Sequence, residues 1–214
     1  MKNREAVVLV HGLWMKGPEM FLLRRRLRNA GYEVHQFSYR TVAHELGENA
    51  RQLQAFVQPL QAQTVHYVAH SLGGLVVRRL FHDNPEQRPG RIVTLGSPHT
   101  GSYVADRLSR SGLFRRLLGC SLRPLRGELY AWSATHPLGS IAGTLSVGVG
   151  WLVRDLPKPN DGTVAVAETQ LPGMSDHLLV HTSHMAMLVS KTVAEQTLHF
   201  LRHGRFRHDD TAAA

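Results

Sequence analysis

Ser71, Asp161 and His184 bring a hydroxyl, a carboxylate and an imidazole in that chain order. A serine hydroxyl is a poor nucleophile at its own pKa. An imidazole that takes its proton, held in the right tautomer by a carboxylate, lets it attack a carbonyl carbon. Ser71 stands where that role needs it. The apolar, β-forming run 65–70 meets a helical pattern beginning at Leu72 with no loop between them, so strand, abrupt turn and helix follow directly. Ala69 and Gly73, two residues either side, are small enough to let strand and helix close on each other. The usual pattern is Gly-x-Ser-x-Gly; alanine in its first glycine position keeps the small size. Ser71 could instead simply cap the helix, and the rest of the chain decides between the readings.

The carboxylate is expected in Lys158-Pro159-Asn160-Asp161-Gly162-Thr163, a turn-rich stretch after the penultimate strand. With 14 histidines the base needs selection. His177 and His181, four apart within or at the end of a strand, share one sheet face, whereas His184 lies beyond the strand in a loop. His70 is too close to Ser71 along the chain to approach its hydroxyl correctly. His99, in Gly96-Ser97-Pro98-His99-Thr100-Gly101, is the rival and would break the chain order of serine, acid, histidine. His181 and His184 find no third ligand and no His-Glu-x-x-His pattern, so no metal is expected. An attacked carbonyl also needs donors for its developing negative charge. Gly12, just past the first strand in Val10-His11-Gly12-Leu13-Trp14, lets the backbone turn, and the N–H groups of Leu13 and Leu72 are expected to form the oxyanion hole. Trp14, His11 and His70 beside them are expected to contact substrate.

Positioning these groups requires strands whose ends lie side by side. Short apolar segments at 6–10, 32–39, 65–70, 91–95, 141–147 and 177–180 alternate with helical patterns at 18–30, 43–61, after Leu72 and at 185–202. That alternation predicts an α/β fold, a compact six-stranded, mostly parallel sheet with helices on both faces. The 214 residues, 43% hydrophobic and without linker or repeat, are expected to form one domain, 1–214. Nothing at the N-terminus resembles a signal peptide or membrane span, and a lone cysteine, Cys120, suits a reducing compartment, so a cytoplasmic location is expected. The net charge of +9 favours an anionic partner. Because Arg24, Arg25, Arg26 and Arg28 interleave with leucines in a helical pattern and no nucleic-acid motif accompanies them, nucleic acid is not the expected one.

The chain resembles lipases and esterases of the α/β-hydrolase superfamily, especially the small bacterial triacylglycerol-lipase-like and GPI-inositol-deacylase-like groups. The resemblance rests on Val-His-Gly-Leu at 10–13, Ala-His-Ser-Leu-Gly-Gly at 69–74, Thr-Leu-Gly-Ser-Pro-His-Thr-Gly-Ser at 94–102, Asn-Asp-Gly-Thr-Val at 160–164 and Ser-His-Met at 183–185. It implies an α/β-hydrolase fold and hydrolysis of carboxylic esters, lipids among them, through an acyl-serine without a cofactor. It also implies a lid- or cap-like insertion, here at about 103–139. Within it Phe114, Leu117, Leu118, Leu122 and Leu125 oppose Arg115, Arg116, Arg123 and Arg126 in a helical projection, a pattern that fits either peripheral contact with an anionic membrane surface or a cover over the cleft. Gly119 and Pro124 argue against one continuous helix.

Overall fold

The computed structural model describes residues 5–127, 131–132, 135–153 and 155–208. Residues 128–130 and 133–134 of the expected insertion, and both ends of the expected domain, lie outside the described residues. Six strands form one sheet in the order β2-β1-β3-β4-β5-β6: β1 (Glu5–Val10), β2 (Glu33–Phe37), β3 (Thr64–His70), β4 (Ile92–Leu95), β5 (Leu138–Gly143) and β6 (Asp176–Val180). Every neighbouring pair is parallel, so the sheet is wholly rather than mostly parallel.

Period-two alternation sends the strand side chains to two cores. On one face Val8, Val10, Tyr67, Ala69 and Ile92 pack under α2 (Leu46–Val57) and α3 (Leu72–Asp83). On the other, Val7, Leu9, Val68, Val93, Leu95 and Ile141 pack under α1 (Phe21–Asn29) and α7 (Lys191–His203). Residues 6–10 of β1 are completely buried, as a strand covered on both faces must be. Ser190 caps α7 by accepting from the Val193 N–H, and Gly204, left-handed, ends it.

The expected 43–61 helix is shorter, Leu46–Val57, the expected 32–39 strand is Glu33–Phe37, and three further boundaries differ from the sequence reading. The 18–30 helix opens with a 3-10 turn at Pro18–Met20, and the last helix begins at Lys191, preceded by another at Ala186–Leu188. β5 lies three residues earlier than expected. Its small residues mask it: a Cβ on Gly139 would fall 2.5 Å from the Phe200 ring, so the strand needs glycine there despite its poor strand propensity. The end of the expected strand, 144–147, is instead a loop, with Leu145 and Val147 exposed.

Register sets the strand ends level: Val10 pairs with Ala69, His70 with Leu95 and Leu95 with Ile141. Between β4 and β5 come α4 (Tyr103–Leu108), α5 (Gly112–Leu118) and α6 (Leu122–Leu125), broken at Gly119, whose φ is 52°. Leu118, Leu122 and Leu125 are buried, while Leu113 and Leu117 face outward. No helix among the described residues is long and apolar enough to cross a membrane.

Candidate active site

Ser71 occupies the apex between β3 and α3 with φ 52° and ψ −122°, backbone angles that cost a non-glycine residue on the order of 1–3 kcal/mol. It does not cap α3 through its side chain. The neighbours show why the flanking residues are small. A Cβ on Gly73 would lie 2.4 Å from the Val10 carbonyl oxygen, and one on Gly74 would lie 2.2 Å from Ser97 Oγ. Ala69 is fully buried beneath. The tight elbow leaves the Ser71 side chain facing a cavity above the strand ends.

Asp161 and His184 meet on the same shelf. The Asp161 side chain is buried, and its Oδ1 accepts from the backbone N–H groups of Thr163, at 2.9 Å, and Val164, at 2.7 Å. Its Oδ2 accepts from His184 Nδ1 at 2.6 Å. The His184 backbone N–H donates back to the Asp161 carbonyl at 2.9 Å, so the two residues are tied by main chain as well as side chain. Asn160 tightens the turn by accepting from the Gly162 N–H at 3.0 Å. Gly96, left-handed after β4, is the floor under the pair: a Cβ there would stand 3.0 Å from both Asp161 Oδ2 and His184 Nδ1. Sequence reasoning missed this residue, although a glycine immediately after a strand was a signal for close approach.

The other histidines sort by what their rings touch. His70 Nε2 donates to the His184 carbonyl at 3.1 Å, and the two rings pack with centroids 4.6 Å apart. A nitrogen facing a carbonyl must carry the proton, and burial holds the His70 pKa well below its usual value. His70 therefore braces His184 as a neutral ring at the cavity wall. His11 lies deeper, fully buried and stacked 4.5 Å from Tyr39, accepting from the Tyr39 N–H. It does not line the cavity, so its position gives no support to the expected substrate contact. His99 is buried against Thr94 Oγ1 at 3.1 Å, its pKa pushed down to about 3 by burial, then by Arg78 and His177. It too lies away from the cavity. His177 bonds Thr169 Oγ1 and His181 approaches Thr144 Oγ1. No group of three potential metal ligands occurs among the described residues.

The cavity, about 220 Å³, is lined by Leu13, Trp14, His70, Ser71 and His184 on the sheet side and by Val104, Ala105, Leu108, Leu118 and Leu125 from α4 to α6. Val147, Val149 and Met185 complete the mouth. Its wall is overwhelmingly apolar. A Cβ on Gly12 would touch Ser71 Cβ at 3.1 Å, which puts the following residue, Leu13, beside the serine. The backbone N–H groups of Leu13 and Leu72 find no protein acceptor among the described residues.

A family model described as "Domain of unknown function (DUF7379)" matches residues 1–197. A triacylglycerol lipase of Pseudarthrobacter phenanthrenivorans is 32% identical over 118 residues, 49% of this chain and 36% of that protein. A lysosomal thioesterase, PPT2-B of Xenopus laevis, is 26% identical over 106 residues, 45% of this chain and 37% of that protein. The chain thus spans about a third of the length of the curated relatives it matches. Among solved structures, the mature form of Bacillus licheniformis lipase BlEst2 superposes with a TM-score of 0.76 at 20% identity, covering 94% of this chain and 92% of that one. The chain belongs to the DUF7379 family, and its fold is the α/β-hydrolase fold that bacterial lipases and esterases also adopt.

Proposed function

We propose that the protein hydrolyses carboxylic esters through an acyl-serine, with Ser71 as nucleophile, His184 as general base and acid, and Asp161 as the orienting carboxylate. The observation that carries this reading is the buried 2.6 Å Asp161–His184 pair opening, together with the strained Ser71, onto one apolar cavity. Asp161 accepts the hydrogen bond of Nδ1–H, keeping that proton on Nδ1 and leaving Nε2 bare to receive the Ser71 proton as Oγ attacks the ester carbon. The tetrahedral oxyanion is held by the N–H groups of Leu13 and Leu72. Collapse expels the alcohol, protonated by His184, and leaves the acyl group on Ser71. Water, deprotonated by His184, then attacks the acyl carbon and releases the acid. No cofactor is needed for any step.

The apolar wall supports an acyl chain as the group bound, in a protein acting as one domain over 1–214. A non-catalytic binding protein on this fold would have no use for the buried carboxylate–imidazole pair. Thioesters are the second substrate class, favoured by the partial likeness to a lysosomal thioesterase. Initial rates on esters and thioesters of graded acyl length test the proposal: wild type should turn over at least one series and Ser71→Ala none. Equal rates for the two proteins would overturn it.

A further inference from the structure

Trp14 has a backbone conformation that its side chain type does not favour. Its φ is 58°, in the left-handed region where a bulky residue is an outlier. Ser71, with φ 52°, shares this property and opens onto the same cavity. The turn at 12–15 holds itself by one long bond, Met15 N–H to the Gly12 carbonyl at 3.4 Å. Its stronger anchors come through Trp14. The backbone N–H donates to Thr41 Oγ1 at 3.2 Å, and the indole Nε1–H donates to the Leu117 carbonyl at 3.2 Å. Leu117 belongs to the last turn of α5, where a carbonyl has no partner within its own helix. One side chain thus joins the turn that carries Leu13 to the segment that walls the cavity.

That segment is itself fastened at its start and between α5 and α6. The Tyr103 N–H, at the start of α4, donates to Glu168 Oε1 at 2.5 Å, and the Glu168 Oε2 accepts from Ala165 in the Asp161 turn at 2.7 Å. After α5 the Cys120 N–H donates to the Val42 carbonyl at 2.9 Å, and Gly119 passes so close that a Cβ would lie 2.4 Å from the same oxygen. Lifting α4 to α6 would break these bonds, uncover Leu118 and Leu125, take Val104, Ala105 and Leu108 out of the cavity wall and leave the indole without its acceptor.

We propose that Trp14 is a positioning residue coupling the Leu13 turn to α5, so that the seated α4–α6 segment is the catalytically competent state, a fixed wall, and the substrates are single ester molecules taken from solution. This rests on the ester-hydrolase reading above. With α5 seated, the indole bond braces the strained turn and fixes where the Leu13 N–H stands relative to Ser71. With α5 displaced, the turn relaxes and the oxyanion donor is lost.

The test uses the full chain and short, water-soluble p-nitrophenyl esters. Trp14→Phe keeps an aromatic ring and removes the N–H; kcat should fall about tenfold, the scale of one hydrogen bond's worth of positioning, with KM within twofold and the melting temperature well above assay conditions. Trp14→Gly, which suits a left-handed φ without strain, should be no faster than Trp14→Phe. A wild-type kcat in either variant would overturn the coupling. The wall is tested separately with Ala43→Cys, placed to pair with native Cys120, whose Sγ lies 3.6 Å from the Ala43 carbonyl. Oxidation, followed by loss of free thiol, should leave activity within twofold of the reduced form. Abolition on oxidation with recovery on reduction would show that the segment must lift. The wild-type rate should also rise smoothly through the solubility limit of the ester, and a jump there would contradict the proposal. Inactivity of wild type on every ester would instead defeat the underlying reading, so the two failures are distinguishable.

Discussion

The shelf at the strand ends and the α4–α6 segment over it are held by different forces. On the shelf, main-chain geometry does nearly everything. Asp161 is fixed by two backbone N–H groups, His184 by its N–H to the Asp161 carbonyl and its carbonyl to the His70 ring, and Gly73, Gly74 and Gly96 sit where a single added carbon would collide. The covering segment rests instead on side-chain burial and a few bonds, and it leaves Leu113 at 67% and Leu117 at 47% exposed. The difference teaches that reaction type and substrate choice are written in two differently built parts of the molecule, joined through the Trp14–Leu117 bond. Changes to the shelf should destroy chemistry, while changes to the cover that leave the Trp14–Leu117 bond in place should redirect it.

The largest expected effects test the first half of that contrast. Asp161→Asn should lower kcat on the order of 10⁴-fold, because the imidazole then adopts the wrong tautomer. His184→Ala should be at least as damaged, while His99→Ala and His177→Ala, away from the cavity, should change stability far more than turnover. A dead His99→Ala beside an active His184→Ala would transfer the base to the other loop and break the comparison. On the cover, Ala105→Leu and Leu118→Ala should move the preferred acyl length in opposite directions. One methylene in an apolar pocket is worth about 10–200-fold in kcat/KM between neighbouring substrates. An unchanged length profile in both variants would place the acyl chain elsewhere.

Much of the shelf was legible in the sequence because its devices are local. Ser71 announces itself by an apolar run meeting a helix without a loop, and Asp161 by Asn-Asp-Gly-Thr. Chain order favours His184 over His99 in the sequence, although both follow a strand. The structure adds that His184 bonds Asp161 and lines the cavity, whereas His99 does neither. β5 was misplaced because Gly139 is chosen for the Phe200 and Phe206 rings above it, a tertiary demand that strand propensity cannot reveal. In the cover, Leu118, Leu122 and Leu125 turned inward as an apolar side should, but Leu117, one residue before Leu118 in the same helix, faces out.

Acid sensitivity gives a third test. The pKa values of His70 and His99 are lowered chiefly by burial, as is that of His11, so the folded state prefers them neutral. An unfolded chain binds those protons at the ordinary value near 6.5. Between pH 6.5 and about 3, where His99 titrates in the fold, the unfolded state therefore holds more protons and stability falls as pH falls. Urea midpoints should be flat above pH 7 and decline steadily below 6, and His99→Gln should shallow the decline. Stability independent of pH in that window would show these rings to be accessible to protons in the fold.

The smallest expected effect lies at the outer face of the cover, where Arg115 and Arg116 flank exposed Leu117. If this rim touches anionic bilayers, Arg115→Gln should weaken vesicle binding about fivefold at low salt, from roughly 1 kcal/mol per basic residue, and the difference should shrink as salt is added. Equal binding by both proteins would mark the arginines as solvated only.

The central claim is that Ser71, activated through His184, is the covalent nucleophile, and labelling with a fluorophosphonate followed by peptide mass mapping tests it most directly. The account predicts one phosphonylated peptide containing Ser71, absent in Ser71→Ala and formed far more slowly in His184→Ala. Adduct on Ser97 or Ser102, or labelling of Ser71→Ala at the wild-type rate, would contradict it.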